Sequence, residues 1–383
     1  MSVYLDDLLD LPNVRVESYT QIEGSITLSL VMISDAIVCP HCGHLTDELH
    51  QNRPVLVRDL SIFGHPTYLH LPRRQFYCPE CQKYSTERLE FVDWKRRHTQ
   101  RYEEDIYQRV QSSNMEQIGR EEGLKYDEIK GMFDHISSKK NKKIKPTKRV
   151  SIDEISMRKG QQDFVTVVSD IDRGCLIDMI DSHKQDDIIA ALREQPLELR
   201  EAVEEVSVDM WGGFPKVIAE VFPNALIVFD RFHVMQSVNR ELNKFRWKLG
   251  VRDRGRKYLL LRNKEDLTDK QEVELEDIFK GSECLRVAYE IKEDLRKIYE
   301  NSRTINSGKR KLTKWLRTAG IIFVESSQTI QNHLDGICNY FKSRTTSGVM
   351  EGINNRIKLI MRQGYGFSNF DNFRSRVLAC FID

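Results

Sequence analysis

Between residues 150 and 230 the sequence alternates in an order that few folds accommodate. VSIDEIS, DFVTVVSD and CLIDMID are three β-branched segments in succession; the helical KQDDIIAALREQ, the short EVSVD, the helical GGFPKVIAEVF and ALIVFD follow. Three consecutive strands pair most simply as a meander, and strand–helix alternation then adds parallel strands. The expected product is a mixed sheet, antiparallel in one half and parallel in the other.

That is the order of an RNase H-like sheet, in which the first and fourth strands lie side by side. Asp153 of SIDEIS and Asp209 of VSVDMW then become neighbours. A carboxylate inside such an apolar run is costly unless a cation offsets it. Two strand aspartates plus a glutamate from a late helix can hold two divalent metals for phosphoryl transfer. Glu154 follows Asp153 directly and alternates to the opposite face of a strand, so Asp153 is the one assigned to the site. A competing role for Asp209 is to cap a helix beginning near Gly212 and Gly213. Asp230 and His233, three apart just after the fifth strand, face one side of a helix start; there they can touch a phosphate, or Asp230 can cap that helix. Glu351, Asn355 and Lys358 are spaced by four and three, so they share one helical face: a metal ligand with two DNA-gripping groups, or an ordinary exposed Glu-Lys pattern.

Upstream, Cys39-Pro-His-Cys42 and Cys78-Pro-Glu-Cys81 are two knuckles whose two-residue spacers let both thiolates reach one tetrahedral ion. Four sulfurs imply structural Zn²⁺. The VLVRDL, PTYLHL and RRQFYC segments around Gly64 read as a β-hairpin that folds back to join the pairs. A redox CxxC would want a βαβ context that this stretch lacks. After the knuckles the apolar period lengthens to that of a helix. Residues 102–113 form one helix, Asn114 with Gln117 opens a second ending at Gly123, and a third runs from Lys125 to about His135. The pattern is that of a helix-turn-helix, with Lys125, Tyr126, Glu128 and Lys130 as candidate DNA contacts; the alternative is a helical hairpin packed inside the domain.

Formal net charge is only +1, so any nucleic-acid case rests on local charge. KKNKKIKPTKR, residues 139–149, carries seven basic residues and no acid. Lys139, Lys140, Lys142 and Lys143 are its leading phosphate candidates, with Arg96 and Arg97 in a smaller cluster beside Lys95 and Arg101. A helical region at about 234–340 adds basic patches at Arg252, Arg254, Arg256 and Lys257, and at Lys309, Arg310, Lys311 and Lys314, with Trp247 and Trp315 read as core. The N-terminus lacks the pattern of a signal peptide and no apolar run approaches a membrane span, which points to a cytoplasmic, nucleoid-associated protein.

The fold expected is therefore multidomain, α+β and α/β: a zinc-binding β-rich domain (1–95), a helix-turn-helix (96–138), a basic linker (139–149), and an RNase H-like mixed-sheet catalytic domain (150–383) with its α-helical insertion. In order along nearly the whole chain, CPHCG with YCPEC, the VRDL and RRQFYC hairpin, SIDEIS, VSVDMW, FPNALIVFDRFHV, SGVMEGINNRIK and YGFSNFDNFR resemble the ISL-three family of bacterial insertion-sequence transposases. The resemblance implies binding of terminal inverted repeats, and a DDE triad of Asp153, Asp209 and Glu351 using Mg²⁺ or Mn²⁺. It also implies Asp230 and His233 as an accessory pair, and Lys358 as the basic residue many such enzymes place seven beyond the glutamate. Double-stranded DNA, as element ends and as target, is the expected partner, and pairing two ends makes a homodimer the expected assembly. Two other classes fit less well: a non-catalytic DNA-binding regulator, which has no use for three acids, and an RNase H-like nuclease that cuts without joining, which has no use for an end reader.

Overall fold

The computed structural model describes residues 5–140, 145–158, 162–210, 213–346, 348–364, 367 and 369–381. The chain divides into two compact units, Met1–Lys142 with Ile360–Cys380, and Lys143–Leu359 with Phe381–Asp383.

The first unit opens with α1 (Leu5–Leu9), β1 (Val14–Ile22) and β2 (Ser25–Met32), then β3 (Ile37–Val38), β4 (Leu45–Thr46) and β5 (Leu49–Asn52). β6 (Val55–Ile62) and β7 (His65–Leu71) form the hairpin expected around Gly64, and β8 (Arg74–Cys78) and β9 (Lys83–Thr86) follow. Ile62 pairs with His65, leaving Phe63 and Gly64 as a two-residue turn with φ of 49° and 80°. Positive φ at both positions matches the right-handed twist of the flanking strands. The sheet order is β1-β2-β7-β6, with β5-β8-β9 as a smaller sheet. Alternating Val57, Leu69 and Leu71 join Leu28, Leu30 and Phe91 in its core.

Three helices continue this unit: α2 (Gln100–Ser112), α3 (Met115–Glu122) and α4 (Tyr126–Lys139). Asn114 caps α3 by accepting from the Gln117 N–H at 2.7 Å, and Gly123 ends it at φ 68°, a left-handed turn open to glycine. Both were legible in the sequence. Ile106, Val110, Ile118, Ile129, Met132 and Phe133 form the shared core. Glu122 accepts from Arg109 at 2.5 Å, Tyr102 at 2.9 Å and Arg58 at 3.1 Å, which ties α3 to α2 and to β6.

The second unit carries β10 (Arg149–Arg158), β11 (Gln162–Asp170), β12 (Cys175–Ile180), α5 (Gln185–Arg193), α6 (Leu197–Glu201), β13 (Glu205–Val208), α7 (Phe214–Val221) and β14 (Leu226–Phe229). Its sheet order is β12-β11-β10-β13-β14, with the first three strands antiparallel and the β10–β13 and β13–β14 pairs parallel. The mixed sheet and the adjacency of first and fourth strands follow the sequence reading. The helical region comprises α8 (Arg231–Lys248), α9 (Arg254–Leu261), α10 (Asp269–Lys280), α11 (Glu283–Asn301), α12 (Ile305–Ala319), α13 (Val324–Asn332) and α14 (Leu334–Ser343), followed by α15 (Gly348–Gln363). These helices share one apolar core with the sheet, through α14 lying on β14 with Asn339 Nδ2 donating to Ile227 O at 2.8 Å. Trp315 is core, its indole donating to Ile291 O at 2.8 Å; Trp247, expected in the core, is half exposed, with the Arg252 guanidinium 5.5 Å from its ring.

This division differs from the one drawn on the sequence. The zinc-binding and helical segments form one unit, and residues 360–380 join it, not the sheet. The last helix, α16 (Phe370–Cys380), supplies the reason: it packs on α2, with Ala379 inside the α2–α4 core and the Cys380 thiol donating to Gln111 O at 3.5 Å. No helix among the described residues is long and apolar enough to cross a membrane.

Candidate active site

β10 and β13 pair in register from Arg149 opposite Glu205 to Ser151 opposite Ser207. Asp153 follows the last paired position on β10 by two residues, and Asp209 follows its counterpart on β13 by two, just past the end of that strand at Val208. Asp153 is held on both oxygens: Oδ1 accepts from the Glu154 N–H at 2.8 Å, and Oδ2 accepts from Asn354 Nδ2 at 2.8 Å. Burial pushes the Asp153 carboxyl above its usual value and Asp209 adds to this, while the Glu154 N–H, His233 and the Asn354 amide pull the other way without prevailing.

Glu154 is closer to this site than strand alternation suggests. Its carboxyl is pushed up to about 7, by burial first and then by the charges of Asp209 and Asp153, and its Oε1 is buried with no hydrogen-bond partner. Asp209 does not cap α7, whose first turn is preceded by Gly213. Asp230, 2% exposed, does cap α8, accepting from the Phe232 N–H at 3.1 Å. This is the alternative role the sequence left open. His233, on the first turn of α8, acts on Asp153 by charge.

Helix α15 presents a different face from the one its polar spacing suggests. Met350, Ile353, Asn354, Ile357 and Ile360 are buried, whereas Glu351, Asn355 and Lys358 are exposed. Asn354, not Asn355, reaches the aspartates. Glu351 lies three residues before Asn354, on the adjoining solvent side. Among the described residues, Asp153, Asp209 and Glu351 do not form a group whose ligand atoms all lie within 4.8 Å of one another. The apolar stripe at 350, 353, 357 and 360 was visible in the sequence, and Asn354 sits on it; that was the signal for the residue missed.

At the other end of the chain, the hairpin brings all four cysteines together. Cys39 and Cys81 sulfurs stand 3.6 Å apart, as do those of Cys42 and Cys78, and all four lie within 4.8 Å of one another. Sulfurs about 2.3 Å from one tetrahedral ion are about 3.8 Å apart, so the set fits zinc. His41 and His44 stand outside this group.

Several residues singled out for DNA are engaged by acids. Arg96 donates to Glu103 at 2.7 Å, Lys139 to Asp93, Lys140 to Glu104 and Lys130 to Asp134; Arg101 is bound to the buried Asp59. Arg96 and Arg101 answer buried carboxylates, whereas the three lysine pairs lie at the surface, where such pairs are weak. Arg97, Lys125 and Tyr126 are exposed, and the Tyr126 hydroxyl accepts from Asn372 at 3.4 Å. Lys142 and Lys143 lie outside the described residues. In the helical region, Asn306, Lys309, Arg310, Thr313, Lys314 and Arg317 line one surface depression on α12.

Residues 150–377, the sheet with its carboxylates and the helical region, match a family profile of DDE type described as a transposase of ISL3. The chain belongs to the ISL3 transposase family. Residues 35–81 match the zinc-finger of the transposases of IS204, IS1001, IS1096 and IS1165, and residues 87–137 match the helix-turn-helix domain of the same family. The transposase for insertion sequence element IS1001 of Bordetella parapertussis is 26% identical over 385 residues, covering 96% of this chain and 94% of its own. The transposase for insertion sequence element IS1557 of Mycobacterium tuberculosis is 28% identical over 255 residues, 57% of each chain. These alignments extend the motif resemblance to the three modules in their order.

Proposed function

We propose that this ISL3 transposase binds the terminal inverted repeats of its insertion sequence and cleaves and joins DNA strands at the carboxylates where β10 and β13 part. The observation that carries the reading is Asp153 on β10, close enough to feel the charge of Asp209 just past the end of the parallel neighbour β13, with Asn354 of α15 donating to Asp153 at 2.8 Å. The strand order, β12-β11-β10-β13-β14, supports the expectation of an RNase H-like sheet.

The donors fit a hard divalent ion. They are oxygens only, the Asp153 and Glu154 carboxyls are raised by burial first and then by the charge of Asp209, and the Glu154 Oε1 and Asn354 Oδ1 atoms are buried without partners. Asp153, Asp209 and Glu351 would hold Mg²⁺ or Mn²⁺, with Glu351 brought in by DNA or metal from its exposed side of α15. When bound, such ions supply charge stabilisation and an acidified water for in-line displacement at phosphorus.

The chain's own groups do the rest. The Glu154 N–H and the Asn354 amide fix the plane of the Asp153 carboxylate. His233, whose charge bears on Asp153, would donate to a phosphate oxygen, with Asp230 capping the helix that carries it. Lys358, two turns after Glu351, offers an ammonium to the backbone of the same duplex. Hydrolysis frees a 3′-hydroxyl, and its attack on target DNA exchanges one phosphodiester for another, so no ATP is needed. The zinc ribbon and the three helices recognise the element end, and two chains pair two ends.

The test is incubation of purified protein with Mg²⁺ or Mn²⁺ and a labelled duplex carrying the inverted repeat of its own locus, beside Asp153→Asn. Metal-dependent nicking at the repeat boundary, abolished in the variant with end binding intact, is expected. Specific binding without any nicking by the parent protein would make it a regulator, and nicking without joined products on an added acceptor duplex would make it a nuclease.

A further inference from the structure

We propose that Asp93, Glu103 and His135 form a second metal site in the first unit, distinct from the four cysteines, that takes a divalent transition ion of the zinc or manganese class. The ligand atoms of the three residues all lie within 4.8 Å of one another. His135 Nε2 is 2.8 Å from Asp93 Oδ2 and 3.8 Å from Glu103 Oε2. Donors bound at about 2.0–2.2 Å to one ion sit about 3–3.5 Å apart, so both distances to His135 lie within about half an ångström of that spacing.

The decisive atom is Glu103 Oε2. The Glu103 side chain is 1% exposed, and this oxygen has no hydrogen-bond partner although it faces His135. A buried carboxylate oxygen left unpaired is rare and unfavourable, and a cation relieves it. The remaining contacts orient the set. Arg96 Nε donates to Glu103 Oε1 at 2.7 Å and Gln100 Nε2 to Asp93 Oδ1 at 3.1 Å, so each carboxylate is gripped on one oxygen and turns the other toward the imidazole. Outer-shell donors of this kind are what fix ligating carboxylates. His98 Nδ1, 3.5 Å from Glu103 Oε1 and itself without a hydrogen bond, stands beside them.

The one competitor is the Lys139 ammonium, which bonds the same Asp93 Oδ2; its side chain is 43% exposed and can swing into solvent. An ion here would tie the segment after the zinc ribbon to the first turn of α2 and the last turns of α4, and would release Lys139 at the end of α4.

The probe is zinc, counted per chain by mass spectrometry after removal of unbound ion, in full-length protein carrying Asp153→Asn so that the sheet carboxylates do not add to the count. About two ions per chain are expected, falling to about one in Asp93→Asn and in His135→Ala. Cobalt(II) separates the two sites: Cys42→Ser, which leaves three thiolates, weakens the sulfur-to-cobalt absorption, and Asp93→Asn leaves it intact. One ion per chain in the parent, or an unchanged count in Asp93→Asn, overturns the proposal. Asp93→Asn keeps the shape of the side chain, so it decides the matter even where His135→Ala fails to fold.

Discussion

Asn354 is a neutral residue placed where a third acid was looked for. Its amide sits on the buried stripe of α15 and donates to Asp153, so removing it frees the carboxylate to rotate. Asn354→Ala should lower strand cleavage by about 10–100-fold, as loss of outer-shell partners does, with binding of the element end unchanged in a gel-shift assay. Glu154 gives a prediction in pH. Its folded value of about 7 lies above its ordinary 4.5 because of burial and then the charges of Asp209 and Asp153, so the folded state holds the proton more tightly. That contribution to stability is complete below about pH 4.5 and is lost as pH rises through about 7. Thermal melts in magnesium-free buffer should therefore show stability falling across that window, and Glu154→Gln should flatten the slope. At this scale the sequence exposed the aspartates, because a carboxylate in a β-branched run is conspicuous. It did not expose which face of α15 turns inward, because Glu351, Asn355 and Lys358 form as regular a pattern as the apolar stripe beside them.

Helix α14 meets β14 through a glycine. A Cβ on Gly336 would stand 2.6 Å from the Phe229 ring, and Phe229 is 4% exposed and immediately precedes Asp230. Overpacking of this kind destabilises by about 1–3 kcal/mol. Gly336→Ala should lower the unfolding free energy by that amount, seen as a lower denaturant midpoint, and because it pushes on the residue before the α8 cap it should also weaken cleavage; an unchanged midpoint would mean that α14 shifts freely on the sheet. Among elements, the order of β10 to β14 was readable from alternation alone, since each strand is short, apolar and bounded by turns. The two-residue strands β3 and β4 were not, because their pairing depends on how the knuckle between them turns, and not on a period in the sequence. Nor was the partner of α16, whose aromatic residues announce a buried helix without saying which core receives it.

At the scale of the whole molecule, a chain with 59 basic and 58 acidic residues reads DNA with whatever charge its own acids leave free. Asp59, Asp93, Glu103, Glu104 and Glu122 each engage basic side chains of the first unit, so part of its positive charge is already answered by its own acids. The packing of α16 on α2 completes that unit from the far end of the chain. A fragment ending at residue 142 should accordingly leave α2 open to attack: limited proteolysis is expected to cut it within the α2 segment under conditions in which the full chain resists there, and equal resistance would show α16 to be dispensable. A ribosome making this protein thus releases α16, which the first unit needs, only after residues 143–359 of the second unit have emerged. Messages broken before that helix would yield first units lacking α16, so that an intact first unit is coupled to possession of the sheet and its carboxylates.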